Sequence, residues 1–546
     1  MAYDSDYEGM DYILGNMVGS QGRAQWKVVF LAFIADIAGG VPLLLHMFSA
    51  YEPDHRCSIP VCNDLNSTDW MEFAIPKNTK SSNFLKQDST YDSCHAFKVI
   101  DEEGDCEMSN FNISQMETCS AWVYDKSDFP YTLTTRNDLV CNSEAKRRLL
   151  STFMMLGLMI GSLLGGKFGD WIGRKKTCFI AISIITPTVM VGGYSPNYEI
   201  YAALRLLTCI CLPVIWVCIH SLTFELFGIR GRERFLAVKD LFYPTYVIML
   251  GSLSYFFRNY EELHLVCGCL CLISLIMYFF IPESVRWEIV NNQYDSARKT
   301  LLSIAKQNGK TLTKEDENKI DRILHRIHDE IQDSDNKGKH SILDMFKKSQ
   351  IKMTLVLLAN WITVNVGSYT LTLEATKLSG NVWLNFVLSS VIEIPGSIMI
   401  FFCLSMFGRR FNLFMYQSIV GISCITLAFT PKTWTTTVLV IYLIGKIGSG
   451  ATFLMVWLLP VELYPTNLRA QALGTLSTIA RIFGMSASFV PTLAKVWKPL
   501  PLFIIGVPSL IAGLMAYFLP ETAKKELPQT LLKSSSSKPK EDTTKV

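Results

Sequence analysis

Charge is what this chain has least of. Acidic and basic residues fill 18% of its 546 positions and nearly cancel, to a formal net charge of +3. A soluble domain carries about a quarter charged residues. The small positive excess is too weak to recruit nucleic acid, and no basic patch is interleaved with aromatics. No Cys-x-x-Cys or paired histidine offers metal ligands, and no nucleophile, base and orienting residue stand together, so no enzyme is expected. The glycines of GGKFGDWIGRKK (Gly165 to Lys176) lack the G-K-[S/T] ending of a phosphate loop. No short apolar region with a cleavage site precedes the first long apolar run, which follows 26 polar, partly acidic residues. A signal peptide is therefore not expected.

Apolar residues supply 49% of the chain, and the mean hydropathy is +0.25. Runs of about 18 or more such residues cross a bilayer core as helices. Twelve candidates occur, at 27–48, 148–166, 177–194, 200–221, 236–257, 263–281, 352–373, 382–404, 411–430, 435–458, 470–493 and 500–519. The fifth and eleventh are the least pure. The expected fold is thus all-α, with twelve transmembrane helices.

Basic residues orient it. Lys167, Arg174, Lys175, Lys176, Arg230, Arg232, Arg234, Arg409, Arg410, Lys524 and Lys525 share one side of the twelve-span arrangement. That places residues 1–26, the 282–351 linker and the 520–546 tail in the cytosol and the 49–147 loop outside. Six of the 15 cysteines (Cys57, Cys62, Cys94, Cys106, Cys119 and Cys141) fall in this loop. An even set in an oxidising compartment implies three disulfides, with the pairing left open. Asn66 and Asn112 are glycosylation acceptors in the same loop. The nine other cysteines lie in spans as small hydrophobes.

The chain also repeats itself. FELFGIRGR (Glu225, Arg230) resembles VELYPTNLR (Glu462, Arg469), IPES (Glu283) resembles LPET (Glu521), and WIGRKK (Gly173) resembles MFGRRF (Gly408). The three offsets are 237, 238 and 235 residues. Two six-helix halves, 27–281 and 352–519, follow from this near-constant spacing. Pseudo-symmetric halves about a midplane site are a transporter plan. GGKFGDWIGRKK is then a hinge, with glycines for close helix approach and Asp170 accepting from free N–H groups at a helix start.

This hinge resembles the loop between spans 2 and 3 of the major facilitator superfamily, through Gly166, Asp170, Gly173, Arg174 and Lys175. Trp171 replaces the usual base, and Ser405 stands at the acid position of the second copy. PDHRC (Pro53 to Cys57) before the cysteine-bearing loop, PESVRW (Pro282 to Trp287) and ELYPTNLR (Glu462 to Arg469) resemble the organic cation, organic anion and carnitine transporter family. Sugar porters share the PESVRW element but lack such a loop. The resemblance implies alternating access in a multi-pass plasma-membrane protein with both termini cytosolic. It also implies gating roles for Gly166, Asp170, Gly173, Arg174, Lys175, Glu225, Glu462 and Arg469, and no cofactor beyond a coupling ion of unknown identity.

Charged groups within spans point to the solute, because each costs about 2.5–3.5 kcal/mol at the bilayer centre. Glu393 shares a helical face with Ser389, Ser390 and Ser397, and its position matches the cation and carnitine members. Arg481 matches the anion and carnitine members, and either grips a carboxylate or pairs with Glu393 or Asp36. Lys446 occupies the family's basic position in span 10, as substrate group or structural cation. Arg205, near the cytosolic machinery by resemblance, is read as structural. Asp36 is a second cation-attracting group or a partner of Lys239 or Arg481. Trp216 and His220 in span 4, with Trp361, Asn365 and Tyr369 in span 7, offer rings and an amide at spacing four. Ring faces attract ammonium groups within about 6 Å. Glu393 with Arg481 suits a zwitterion such as carnitine or a related betaine. An organic anion transporter and a transporter-like solute receptor are the alternatives. The linker contains two amphipathic helical patterns, at 287–307 and 314–332. The polar tail ends in Thr544-Lys545-Val546, an ending that can add to a PDZ domain as a strand.

Overall fold

The computed structural model describes residues 10–62, 69–77, 85, 91–101, 103–228, 231, 234–235, 238–335, 345–347, 350–464 and 466–522. Twelve main helices occupy the expected places. In the first half they are α1 (Arg23–Gly40), α2 (Glu144–Ile172), α3 (Arg174–Gly193), α4 (Tyr198–Glu225), α5 (Phe242–Phe256) and α6 (Tyr260–Ile276). In the second they are α7 (Ile351–Glu374), α8 (Val382–Leu404), α9 (Met406–Phe429), α10 (Thr435–Leu463), α11 (Thr466–Gly484) and α12 (Leu500–Met515). Ten segments among the described residues are long and apolar enough to cross a membrane. The two that fall short are the two least pure runs. Helix α5 has 15 residues, and α11 opens with TNLRAQ.

Glycine decides how closely the first half packs. At Gly157, Gly161 and Gly165, spaced by four along α2, an added Cβ would lie 2.5, 1.9 and 2.9 Å from atoms of α4. The stripe lets the two backbones touch. Gly166, expected in this role, has nothing within 4 Å of its Cβ position, since it points a quarter-turn away.

Several helices break where candidate charges sit. Helix α1 ends at Gly40, four residues beyond Asp36, and continues as a 3-10 turn, Val41–Leu43. Helix α8 is interrupted at Ile392, so that Glu393 opens a new helical stretch. Helix α11 ends at Gly484, three residues beyond Arg481, and passes into the 3-10 turn Met485–Ser488. Non-helical backbone within spanning segments occurs where it is enclosed by protein or lines a cavity.

The segment between α1 and α2 is clamped by three disulfides, Cys57–Cys119, Cys62–Cys106 and Cys94–Cys141. Two antiparallel ribbons support them. Strand β1 (His55–Cys57) pairs with β4 (Trp122–Tyr124), and β2 (His95–Val99) pairs with β3 (Phe111–Thr118). Asn112 lies on β3 and is partly exposed; Asn66 lies outside the described residues. We call the side bearing this segment the loop face and the opposite side the linker face. On the latter lie linker helices Val285–Val290, Tyr294–Gln307 and Lys314–Asp335, so that the 287–307 run is divided between two helices. Of the nine unpaired cysteines, seven are buried, Cys403 is half-buried and Cys269 is exposed.

Candidate functional site

On the linker face the repeat becomes a duplicated ion-pair cluster. Gly173 separates α2 from α3 with φ +110°, a left-handed conformation that favours glycine, and an added Cβ would lie 2.6 Å from Glu283. Glu283 accepts from the Lys175 backbone N–H at 3.0 Å, capping the first turn of α3. Arg174 reaches Glu225 at 3.0 Å, and the Ser284 hydroxyl donates to the other oxygen of Glu225. The second copy has the same parts. Gly408 has φ +77°, Glu521 accepts from Arg409 N at 2.8 Å and Arg410 N at 3.2 Å, Arg409 grips Glu462 at 3.1 Å, and Thr522 donates to Glu462.

This corrects the expected role of Asp170. Glu283, not Asp170, receives the free N–H groups. The Asp170 side chain is 76% exposed and stands 3.6 Å from Arg174. What is fixed at Asp170 is its backbone, whose carbonyl accepts from the Trp287 indole at 2.8 Å. The side chain of Arg469 lies outside the described residues.

Near mid-membrane the candidate charges sort themselves differently from the expectation. Glu393 pairs with Lys446 at 2.6 Å, and Lys446 also donates to Thr372 at 2.9 Å. Asp36 is bound by neither Arg481 nor Lys239. Its Oδ2 lies 3.0 Å from His220 Nε2 and accepts from Tyr246 at 3.2 Å, while Oδ1 is buried without a hydrogen-bond partner. Trp216 stands beside this pair, its Nε1 2.6 Å from where a Cβ on Gly39 would be.

Arg481 is the exception. Its guanidinium donates to Ser162 of α2 at 2.7 Å and has no carboxylate partner among the described residues. Tyr369 is close enough to share its field. Tyr243 of α5 lies within electrostatic reach of both Glu393 and Tyr369, and Tyr246 follows it by three positions. These candidate charges are thus held at three places: Glu393 with Lys446, Asp36 with His220 and Tyr246, and Arg481 with Ser162. Trp361 is buried against Trp457, ring centroids 5.0 Å apart, and the Asn365 amide donates to the Trp361 carbonyl at 3.0 Å. Those two residues pack the second half.

Sequence reasoning missed Tyr246, Ser162 and Thr372, because isolated hydroxyls in apolar runs carry no periodic signal. Arg205 is structural, but at the loop-face end of α4. It donates to the carbonyls of Pro42 and Leu43 and stands 2.9 Å from His46 Nδ1, satisfying the groups that the break in α1 leaves open.

Among the described residues, the polar contacts that join the halves lie from mid-membrane to the loop face. Beyond Arg481–Ser162, Arg148 donates to the Ser488 carbonyl at 2.9 Å and approaches Glu374 at 3.9 Å, and Lys495 pairs with Glu144 at 2.7 Å. Phe48 meets Phe386 at 4.8 Å, and Phe129 meets Trp383 at 5.2 Å. The linker-face clusters each stay within one half.

Two joined halves, a duplicated hinge and buried charges between them are the build of a secondary transporter. The chain belongs to the Major Facilitator Superfamily, whose model matches residues 143–488. The fold agrees with the inward-open xylose transporter XylE from E. coli, at TM-score 0.60 and 13% identity, over 92% of this chain and 98% of that one. The sequence relatives narrow the class further. The chain is 28% identical to the organic cation transporter-like protein of Drosophila melanogaster, over 94% of this chain and 90% of the relative. It is 28% identical to solute carrier family 22 member 7 of Rattus norvegicus (94% and 96%) and 25% identical to organic cation/carnitine transporter 2 of Homo sapiens (96% and 93%). It is a membrane-spanning secondary transporter of organic solutes and not an enzyme.

Proposed function

We propose that this transporter carries a small organic solute with a carboxylate, and that the solute is a zwitterion such as carnitine or a related betaine. Arg481 carries the reading. A half-buried guanidinium without a carboxylate partner among the described residues has an open bidentate site for one. A zwitterion offers its carboxylate to Arg481 and its ammonium to Asp36, whereas a simple ion engages only one of the two. Asp36 Oδ1, Trp216 and Tyr246 suit the ammonium end.

An organic anion is the second reading, and Lys446 favours it. By neutralising Glu393 at 2.6 Å, Lys446 removes one of the two acids a cation would seek. The loop face is taken as extracellular at the plasma membrane, with the termini cytosolic and Asn66 and Asn112 glycosylated. Residues 27–281 and 352–519 are the moving halves, and 282–351 is their linker. Lipid surrounds them, and the terminal Thr544-Lys545-Val546 offers itself to a PDZ domain.

Uptake of carnitine, tetraethylammonium and a simple organic anion, normalised to surface protein, tests the reading. Arg481→Ala removes a charge-assisted contact worth about 1.5–3 kcal/mol, or roughly ten- to hundredfold in carnitine affinity, and spares tetraethylammonium. Equal losses for both make Arg481 structural. Robust wild-type uptake of the anion alone moves the assignment to the second reading.

A further inference from the structure

The Asp36–His220 pair has no structural duty that a neutral pair would not perform better. Asp36 is 1% exposed, its Oδ1 is without a hydrogen-bond partner, and its Oδ2 holds both His220 and Tyr246. A carboxylate in this setting needs one compensating positive charge. Among the described residues, the basic side chain bonded to it is His220, whose side chain is 20% exposed and so can exchange a proton with water.

The other groups facing the pair do not supply that charge. Helix α3 presents Cys178, and α5 presents Tyr246. Ahead of α5, Asp240 and Lys239 offset each other within reach of His220. Helix α6 presents only the Ser274 hydroxyl, which donates to the Ile34 carbonyl at 2.7 Å.

We propose that Asp36 and His220 form a proton-binding site that makes solute transport an exchange for protons. With a proton on the pair, imidazolium and carboxylate cancel. When the ammonium end of the solute reaches Asp36, it supplies the positive charge, and the proton leaves His220 for water on the open face. After the solute departs, a proton from that side restores neutrality. Proton and ammonium occupy the pair in turn, and one moves against the other. This rests on the reading that the solute brings an ammonium group to Asp36.

Proteoliposomes with the full-length protein and a pH indicator in the lumen test the proposal, with carnitine and tetraethylammonium as probes. A lumen held acidic relative to the outside should accelerate probe uptake several-fold over uniform pH, and the lumen should lose acid as the probe enters. His220→Asn keeps an amide donor for Asp36 but cannot carry the proton. Uptake at uniform pH should fall, and what remains should show neither the acceleration nor the lumenal signal. Asp36→Asn should do the same for the gradient effect while weakening probe affinity. Wild-type uptake indifferent to the gradient, or a His220→Asn protein that still moves protons, overturns the proton site and leaves the solute reading intact. Absence of uptake of both probes at uniform pH overturns the two together.

Discussion

The two faces of the molecule use ion pairs in opposite ways. On the linker face, Arg174–Glu225 and Arg409–Glu462 tie helices within a half. On the loop face, Arg148–Ser488, Arg148–Glu374 and Lys495–Glu144 tie one half to the other. Clusters within a half stiffen it as a body, and contacts between halves set which end is closed. The loop face is therefore closed in this structure. Rocking must exchange the loop-face contacts for new ones opposite while each linker-face cluster survives as a unit.

The largest effect is expected where the two halves are joined. Arg148 donates to the Ser488 carbonyl across the boundary, so Arg148→Ala removes a charge-assisted contact of about 1.5–3 kcal/mol and the weaker approach to Glu374. The equilibrium should move toward the loop-face-open form by roughly tenfold or more. Labelling of a cysteine placed at Ser488 by an impermeant thiol reagent should rise accordingly. Unchanged labelling would mean that the aromatic contacts alone hold this face.

Breaking one linker-face cluster should cost less. Glu225→Gln leaves Arg174 with only the more distant Asp170 carboxylate, and Glu462→Gln removes the carboxylate that Arg409 grips, both at partly solvated sites. Turnover should fall severalfold for both, with solute affinity little changed. Because the clusters are copies, the two substitutions should resemble each other; a strong effect of only one would show that the halves move unequally.

Asp170→Asn should matter least. Its side chain is mostly exposed and only 3.6 Å from Arg174, and the second copy has Ser405 at the corresponding place. A modest loss of turnover with affinity within a few-fold is expected. A large affinity loss would return Asp170 to the central site.

Much of this was legible in the sequence. The helices, the duplicated hinge and the clustering of six cysteines follow from apolar length, offsets and compartment, which are local or periodic signals. The partners of buried charges were not legible. Glu393 meets Lys446 and Asp36 meets His220 across helices that no spacing rule relates. Glu283 took the role expected of Asp170 for a similar reason. Its position after α6 brings it to the start of α3 only once the half has folded.

Distances measured at both faces test the account most directly. One pair of spin labels on exposed Lys146 and Trp497 reports the loop face, and a second pair on Trp171 and Phe407 reports the linker face. The account predicts that adding carnitine populates a second state in which the loop-face distance lengthens and the linker-face distance shortens together, with Arg148→Ala favouring that state before solute is added. A loop-face distance that stays fixed under every condition would contradict it.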